Sequence, residues 1–239
     1  MNIYIHVEIS TRELDSKLLL ATLAASRGHQ VLVSDLPGIT SGTNKGLLAP
    51  GIFHTKSLTP TKKKIIRHQM LKDKGFLITS IDEEAGLDID GYEEFSKTRY
   101  SEQTIEQSSS IFCWGSDDEE ALKQSYSKHS SKIIKTGSPR VDMWRSSLSD
   151  YWGVHSQTPK KPFLLVSSNM GYSNGIVSFH EAFVNSKHAG YYQRQPWLAD
   201  FHFNYTAENV LTTKEFIKAI KYISENNNGY DVVLRPHPE

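Results

Sequence analysis

Short apolar runs of strand length alternate with segments of helix length through most of the chain, and this constrains the fold more than any other feature. Residues 3–9, 31–33, 51–54, 76–81, 110–114 and 132–136 are each rich in β-branched, aromatic or other apolar side chains. Between the first two runs, Ser10 and Glu13 have capping-box spacing. Leu14, Leu18, Ala21 and Ala25 then recur at helical intervals, and Gly28 stands where a left-handed residue would close the helix. The spacing therefore predicts a β-α-β unit. Further helices are expected at 61–74, 100–107 and 117–128. Strands joined by helices run parallel, and a parallel sheet needs cover on both faces, so the expectation is an α/β chain with a doubly wound sheet.

From Ser149 to Pro162 the periodicity gives way to Ser, Thr, Pro, Lys and Gly, and a new buried-strand run opens at Phe163-Leu164-Leu165-Val166. This predicts two domains, residues 1–155 and residues 160–239. The second begins with that strand, followed by a loop at 167–175, a helix at 213–225 and a strand at 231–234. Two clear strands fall short of the roughly four to six of a usual sheet, so the second domain is expected to be incomplete.

Charge and composition narrow the function. The 27 basic residues balance 27 acidic ones, which leaves no global field to attract nucleic acid. Tyr191, Tyr192, Trp197, Phe201, Phe203 and Tyr205 cluster without basic neighbours and read as core or acceptor-site packing. No apolar run reaches the roughly 20 residues of a membrane span, and the first residues lack a secretion-signal pattern, so a cytoplasmic location is expected. Lys62, Lys63, Lys64 and Arg67 read as a solvated helix face, with peripheral contact with anionic inner-membrane headgroups as the alternative. The single cysteine, Cys113, sits in an apolar run and reads as a core residue. No motif calls for a metal or a cofactor.

In open parallel sheets, ligands lie beyond the carboxyl ends of the strands, which gives weight to the polar residues there. Asp82, Glu83 and Glu84 directly follow the 76–81 run. Carboxylates crowded in this way suit general acid or base work, and they equally suit the positive end of the next helix. Arg235 and His237, each followed by proline, are held in a restricted segment and suit a phosphate. Gly137, Ser138 and Arg140 surround a proline-started helix that would offer amides to an anion, or else form a tight turn. Ser167, Ser168 and Asn169 form a small-residue loop where backbone amides could approach a phosphate. Arg12, after the first strand, faces the expected cleft on the acceptor side.

Taken in order, Arg12-Glu13-Leu14-Asp15, Asp82-Glu83-Glu84-Ala85-Gly86, Gly137-Ser138-Pro139-Arg140-Val141-Asp142 and Arg235-Pro236-His237-Pro238 resemble the bacterial surface-carbohydrate biosynthesis proteins, which are similar to two-domain GT-B glycosyltransferases. An acidic motif followed later by His-Pro is also similar to bacterial sialyltransferases and to transferases of 3-deoxy-manno-octulosonic acid. The resemblance implies two Rossmann-like domains, the first on the acceptor side and the second holding the nucleotide-sugar donor and cut short. It also implies transfer of a sugar from a nucleotide-sugar, with a CMP-sugar favoured, to a glycan or lipid-linked acceptor. The cluster at Asp82, Glu83 and Glu84 would supply the acid, base or nucleophile, and His237 would meet the donor phosphate. Ala85, between the acidic residues and Gly86, departs from the family pattern and leaves open which carboxylate acts. Alternatives are a chain that binds nucleotide or glycan without turnover, a CDP-polyol phosphotransferase and a UDP-sugar epimerase.

Overall fold

The computed structural model describes residues 1–86, 91–153, 161–168, 178–188, 190–194, 196–227 and 229–235. The chain divides into two compact units, Met1–Val154 and His155–Glu239.

The first unit is a Rossmann-like α/β structure, a six-stranded parallel sheet flanked by helices. Its strands are β1 (Asn2–His6), β2 (Gln30–Ser34), β3 (Ile52–Thr55), β4 (Leu77–Ile81), β5 (Ser110–Cys113) and β6 (Ile133–Lys135), in the order β2-β1-β3-β4-β5-β6. The helices are α1 (Ser10–Ser26), α2 (Leu36–Asn44), α3 (Lys62–Asp73), α4 (Tyr92–Arg99), α5 (Glu102–Gln107), α6 (Ser116–Ser125), α7 (Pro139–Asp142) and α8 (Ser149–Gly153). From β1 the chain first steps outward to β2 and then returns past β1 to β3. The connections leaving β1 and β3 therefore part to opposite faces, and a crevice opens at their carboxyl ends.

The same order explains where the core lies. Right-handed crossovers place every helix from α2 to α6 on one face. There Tyr4, Phe53, Ile78, Ile111 and Ile133, one from each strand from β1 to β6 except β2, pack under Ile39, Leu71, Ile105 and Leu122. Full burial of such a side chain contributes about 1.5–3 kcal/mol. The opposite face has α1 and the single turn of α7. Between them remains a cavity of about 350 Å³, floored by Ile3, Ile52, Ile81 and Phe112 and walled by Leu20 and Ala24 of α1.

That uneven cover corrects the expected helix α1. Leu18 is 44% exposed and Ala25 is exposed, whereas the residues α1 buries are Glu13, Ser16 and Lys17. The helix starts at Ser10 with Ile9 as its cap, and the Glu13 carboxylate accepts from the Glu8 amide (3.0 Å) instead of closing a box with Ser10. Gly28 takes φ +82° and ends the helix.

The helix expected at 100–107 is α5, starting two residues later, and a helix that was not expected, α4, precedes it and ends at Tyr100. Helix α5 is opened by a reciprocal cap between Ser101 and Thr104. Helix α6 begins one residue earlier than expected, and Asp118 accepts from the Trp114 amide. Helix α2 was not foreseen, because Leu36-Pro37-Gly38 looks like a loop. Its proline occupies the first turn, where no amide is needed, and Asp35 caps Gly38.

In the second unit, β7 (Phe163–Ser167) and β8 (Asp231–Arg235) pair in parallel. Among its described residues the helices are α9 (Phe179–His188), α10 (Tyr191–Arg194) and α11 (Trp197–Asn226), so the helix expected at 213–225 is the end of a 30-residue one. Leu164, Leu165 and Leu234 stay about half exposed. Of the aromatic residues named from the sequence, Trp197, Phe201, Phe203 and Tyr205 are exposed. Trp197 and Phe203 are 60% and 61% exposed, and Phe201 stacks on Tyr205. No helix of the described residues is long and apolar enough to cross a membrane.

Candidate functional site

The crevice between β1 and β3 collects charge from five separate stretches of the first unit. Residues Glu8 to Lys17 leave β1, Lys56 and Ser57 leave β3, and Asp82 to Glu84 leave β4. Arg99 ends α4 and Arg140 lies in α7.

Gly86 closes the acidic turn at φ +85°, and a Cβ there would lie 2.7 Å from the Trp114 ring. No other residue type satisfies both conditions. The same indole donates to the Asp82 carbonyl (2.9 Å), so the turn is clamped against the end of β5.

The three carboxylates of this turn separate by environment. Asp82 is 1% exposed and receives a two-pronged pair of hydrogen bonds from Arg99, each 2.9 Å. Its Oδ1 also accepts from the Glu84 amide, so Asp82 organises its own loop. Glu83 is 4% exposed and forms a buried ion pair with Lys17, while Arg140 donates to its carbonyl (2.8 Å). Glu84 alone remains open, at 44% exposure, with Arg99 at 2.8 Å, Lys56 at 3.6 Å and Arg12 at 3.9 Å. Arg12 also bonds Glu13, and Lys56 pairs with Glu8. Burial raises the Glu8 pKa, but the Lys56 hydrogen bond and charge outweigh it and leave it lowered.

Three residues named from the sequence, Arg12, Glu84 and Arg140, thus meet the acidic turn in one place. Arg140 lies over the Trp114 ring and braces the turn, and the partner of Asp142 is Arg145. Gly137 takes φ +85° and its amide bonds the Cys113 carbonyl, while Ser138 is buried. With α7 only four residues long, this segment is a turn that carries Arg140. In the second unit Ser167 is paired in register with Arg235, whose carbonyl accepts from the Ser168 amide, so these three residues are neighbours. Asn169 and His237 lie outside the described residues.

Sequence reasoning missed Lys17, Lys56 and Arg99. Lys56 could have been found, since it follows β3 directly. Lys17 is masked by its place within an apolar-looking helix, and Arg99 lies 17 residues from its partner, Asp82.

Behind the crevice, three histidines are buried. Burial lowers His6 to about 4 and His68 to about 3, and places His54 well below its ordinary value. His54 Nδ1 contacts Thr79 Oγ1 at 3.0 Å. Cys113 is buried in the core, and its thiol pKa is raised by that burial, which removes nucleophilic character. Among the described residues no group of three His, Cys, Asp or Glu is placed to hold a metal ion.

Comparison of the chain with protein-family models, with curated proteins and with solved structures finds no match.

Proposed function

We propose that the chain is a glycosyltransferase of bacterial surface-polysaccharide biosynthesis on the GT-B plan, with Glu84 as the base that activates the acceptor. The supporting observation is the division of labour in the acidic turn. Asp82 and Glu83 are buried and pinned, whereas Glu84 presents its carboxylate to solvent at the switch point of the sheet. A glycan hydroxyl bound there gives its proton to Glu84 as its oxygen bonds the anomeric carbon of the donor. The bond from that carbon to the nucleotide phosphate breaks, and its electron pair leaves on the phosphate. Arg235, and His237 beyond the described residues, are the groups the resemblance assigns to that phosphate. A CMP-sugar is the donor to try first.

The test is nucleotide release when the chain is given CMP-sugar and a glycan acceptor. Glu84→Gln is expected to slow turnover by about 10²–10⁴-fold, the usual worth of a positioned base. Equal turnover by wild type and Glu84→Gln removes the proposal.

A second reading, nucleotide or glycan binding without turnover, draws on the fact that every carboxylate of the turn already has a cationic partner. Calorimetry with CMP, CDP and UDP separates the two readings, because binding without nucleotide release supports the second alone.

A further inference from the structure

Each carboxylate at the mouth of the crevice has a cation at salt-bridge distance: Lys56 for Glu8, Arg12 for Glu13, Arg99 for Asp82, Lys17 for Glu83 and Arg99 for Glu84. Arg99 serves two of these carboxylates and Arg140 stands beside Glu83, so with Lys64 and Arg67 seven cations meet five carboxylates. Lys64 and Arg67 lie three residues apart on α3, hence on one side of the helix, and neither has a carboxylate within 4.0 Å among the described residues.

They are not the solvated face that the sequence suggested. Lys62 and Lys63 are exposed, but Lys64 and Arg67 are turned inward and half buried. Among the described residues Lys64 donates only to Ser57, at 2.7 Å to its Oγ and 3.2 Å to its carbonyl. The Nε of Arg67 is buried and has no hydrogen-bond partner among the described residues. Beneath them, fully buried His68 has neither ring nitrogen bonded. Two half-desolvated cations beside each other repel, and the charges of Asp82 on Lys64 and of Glu8 on Arg67 offset the cost only in part. Burial, followed by the charge of Arg67, lowers the Lys64 pKa to about 8. An anionic ligand would relieve the part of the cost that remains.

We propose that Lys64 and Arg67 form an oxyanion site at the switch-point crevice, and that its occupant is the dianionic phosphate of a small phosphomonoester. The cluster's surplus of two positive charges matches a dianion, and a guanidinium offers the two-pronged geometry that phosphate accepts. Three further features converge on the same place. The α3 amino terminus, capped by Thr61, adds its positive dipole end. Ser57 holds Lys64 in position at the carboxyl end of β3. Glu84, the open carboxylate, borders the same mouth through Lys56. The site stands on its own charges, whether or not the chain transfers a sugar.

The experiment uses the whole chain. Binding of inorganic phosphate and of a hexose phosphate is measured by calorimetry at constant ionic strength, with chloride as the control anion. Lys64→Gln and Arg67→Gln are each expected to weaken binding by about tenfold or more, and Lys62→Gln, on the exposed side of the same helix, to leave it unchanged. Tighter binding of the hexose phosphate identifies an ester as the occupant, whereas equal binding corrects the occupant to free phosphate. Absence of phosphate binding at millimolar concentration, or equal binding by all variants, overturns the site.

A readout on the wild-type chain guards against variants that unfold. Lys64, with its lowered pKa, is expected to acylate faster than Lys62 or Lys63, and phosphate should slow that labelling at Lys64 alone. Labelling of Lys64 that is indifferent to phosphate also overturns the site. Phosphate binding without nucleotide release removes only the transferase reading, and turnover without phosphate protection removes only this one.

Discussion

Lys17 shows how far a residue's role can depart from its position in the sequence. On helical spacing it belongs among Leu14, Leu18 and Ala21, yet it is 1% exposed and paired with Glu83. Taking two charges out of water is expensive, and only their mutual attraction offsets it, so removing one is worse than removing both. Lys17→Met is expected to destabilise the first unit by about 3–5 kcal/mol in urea unfolding, because it leaves Glu83 charged and buried. The double variant Lys17→Met, Glu83→Leu should recover most of that loss. If the single variant is as stable as wild type, the pair is not holding the acidic turn. The acidic residues themselves were visible in sequence, since three carboxylates directly follow a strand. Which of them remains open was not visible, because the answer depends on Lys17, Arg99 and Arg140, from three other elements.

At the scale of elements, period and length were enough to locate every strand of the first unit, because an apolar run bounded by turn residues has few alternatives in a buried parallel sheet. Helix boundaries were less legible. The break at Tyr100 between α4 and α5 follows from that ring turning into the core and from the reciprocal Ser101–Thr104 cap, and neither alters the local apolar spacing. Periodicity also could not say how well each strand is covered. Ile78 of β4 is fully buried, whereas Leu165 of β7 is 51% exposed, although both lie in similar apolar runs. Ile78→Ala should therefore cost about 2–5 kcal/mol, through lost burial and the cavity it leaves, while Leu165→Ser should shift stability by no more than about 1 kcal/mol. Denaturant unfolding followed by circular dichroism checks the contrast, and equal losses would show that β7 is as covered as β4.

For the whole molecule, the three buried histidines make stability depend on acidity. In the unfolded chain a histidine takes up its proton near pH 6.5, whereas in the folded chain burial holds His6 to about 4 and His68 to about 3. Between these values the unfolded state binds more protons, so stability falls as pH drops. Each histidine contributes a slope of up to about 1.4 kcal/mol per pH unit. The urea midpoint is expected to be flat above about pH 7 and to decline steadily from about pH 6.5 toward pH 4. A midpoint that holds constant over that interval would show these rings to be solvated. The sequence by itself determined the strand–helix alternation, and with it a parallel sheet whose strand ends carry the polar residues, because burial of apolar runs is a local and periodic demand. Only the tertiary structure decided the strand order β2-β1-β3-β4-β5-β6, and so where the crevice opens. It also decided that Glu84 stays open while Asp82 and Glu83 are spent on Arg99 and Lys17, and that Lys64 and Arg67 face inward with no described carboxylate at salt-bridge distance. Charge pairing acts through space between residues far apart in the chain, so no local pattern of residues encodes which charges find partners and which are left over.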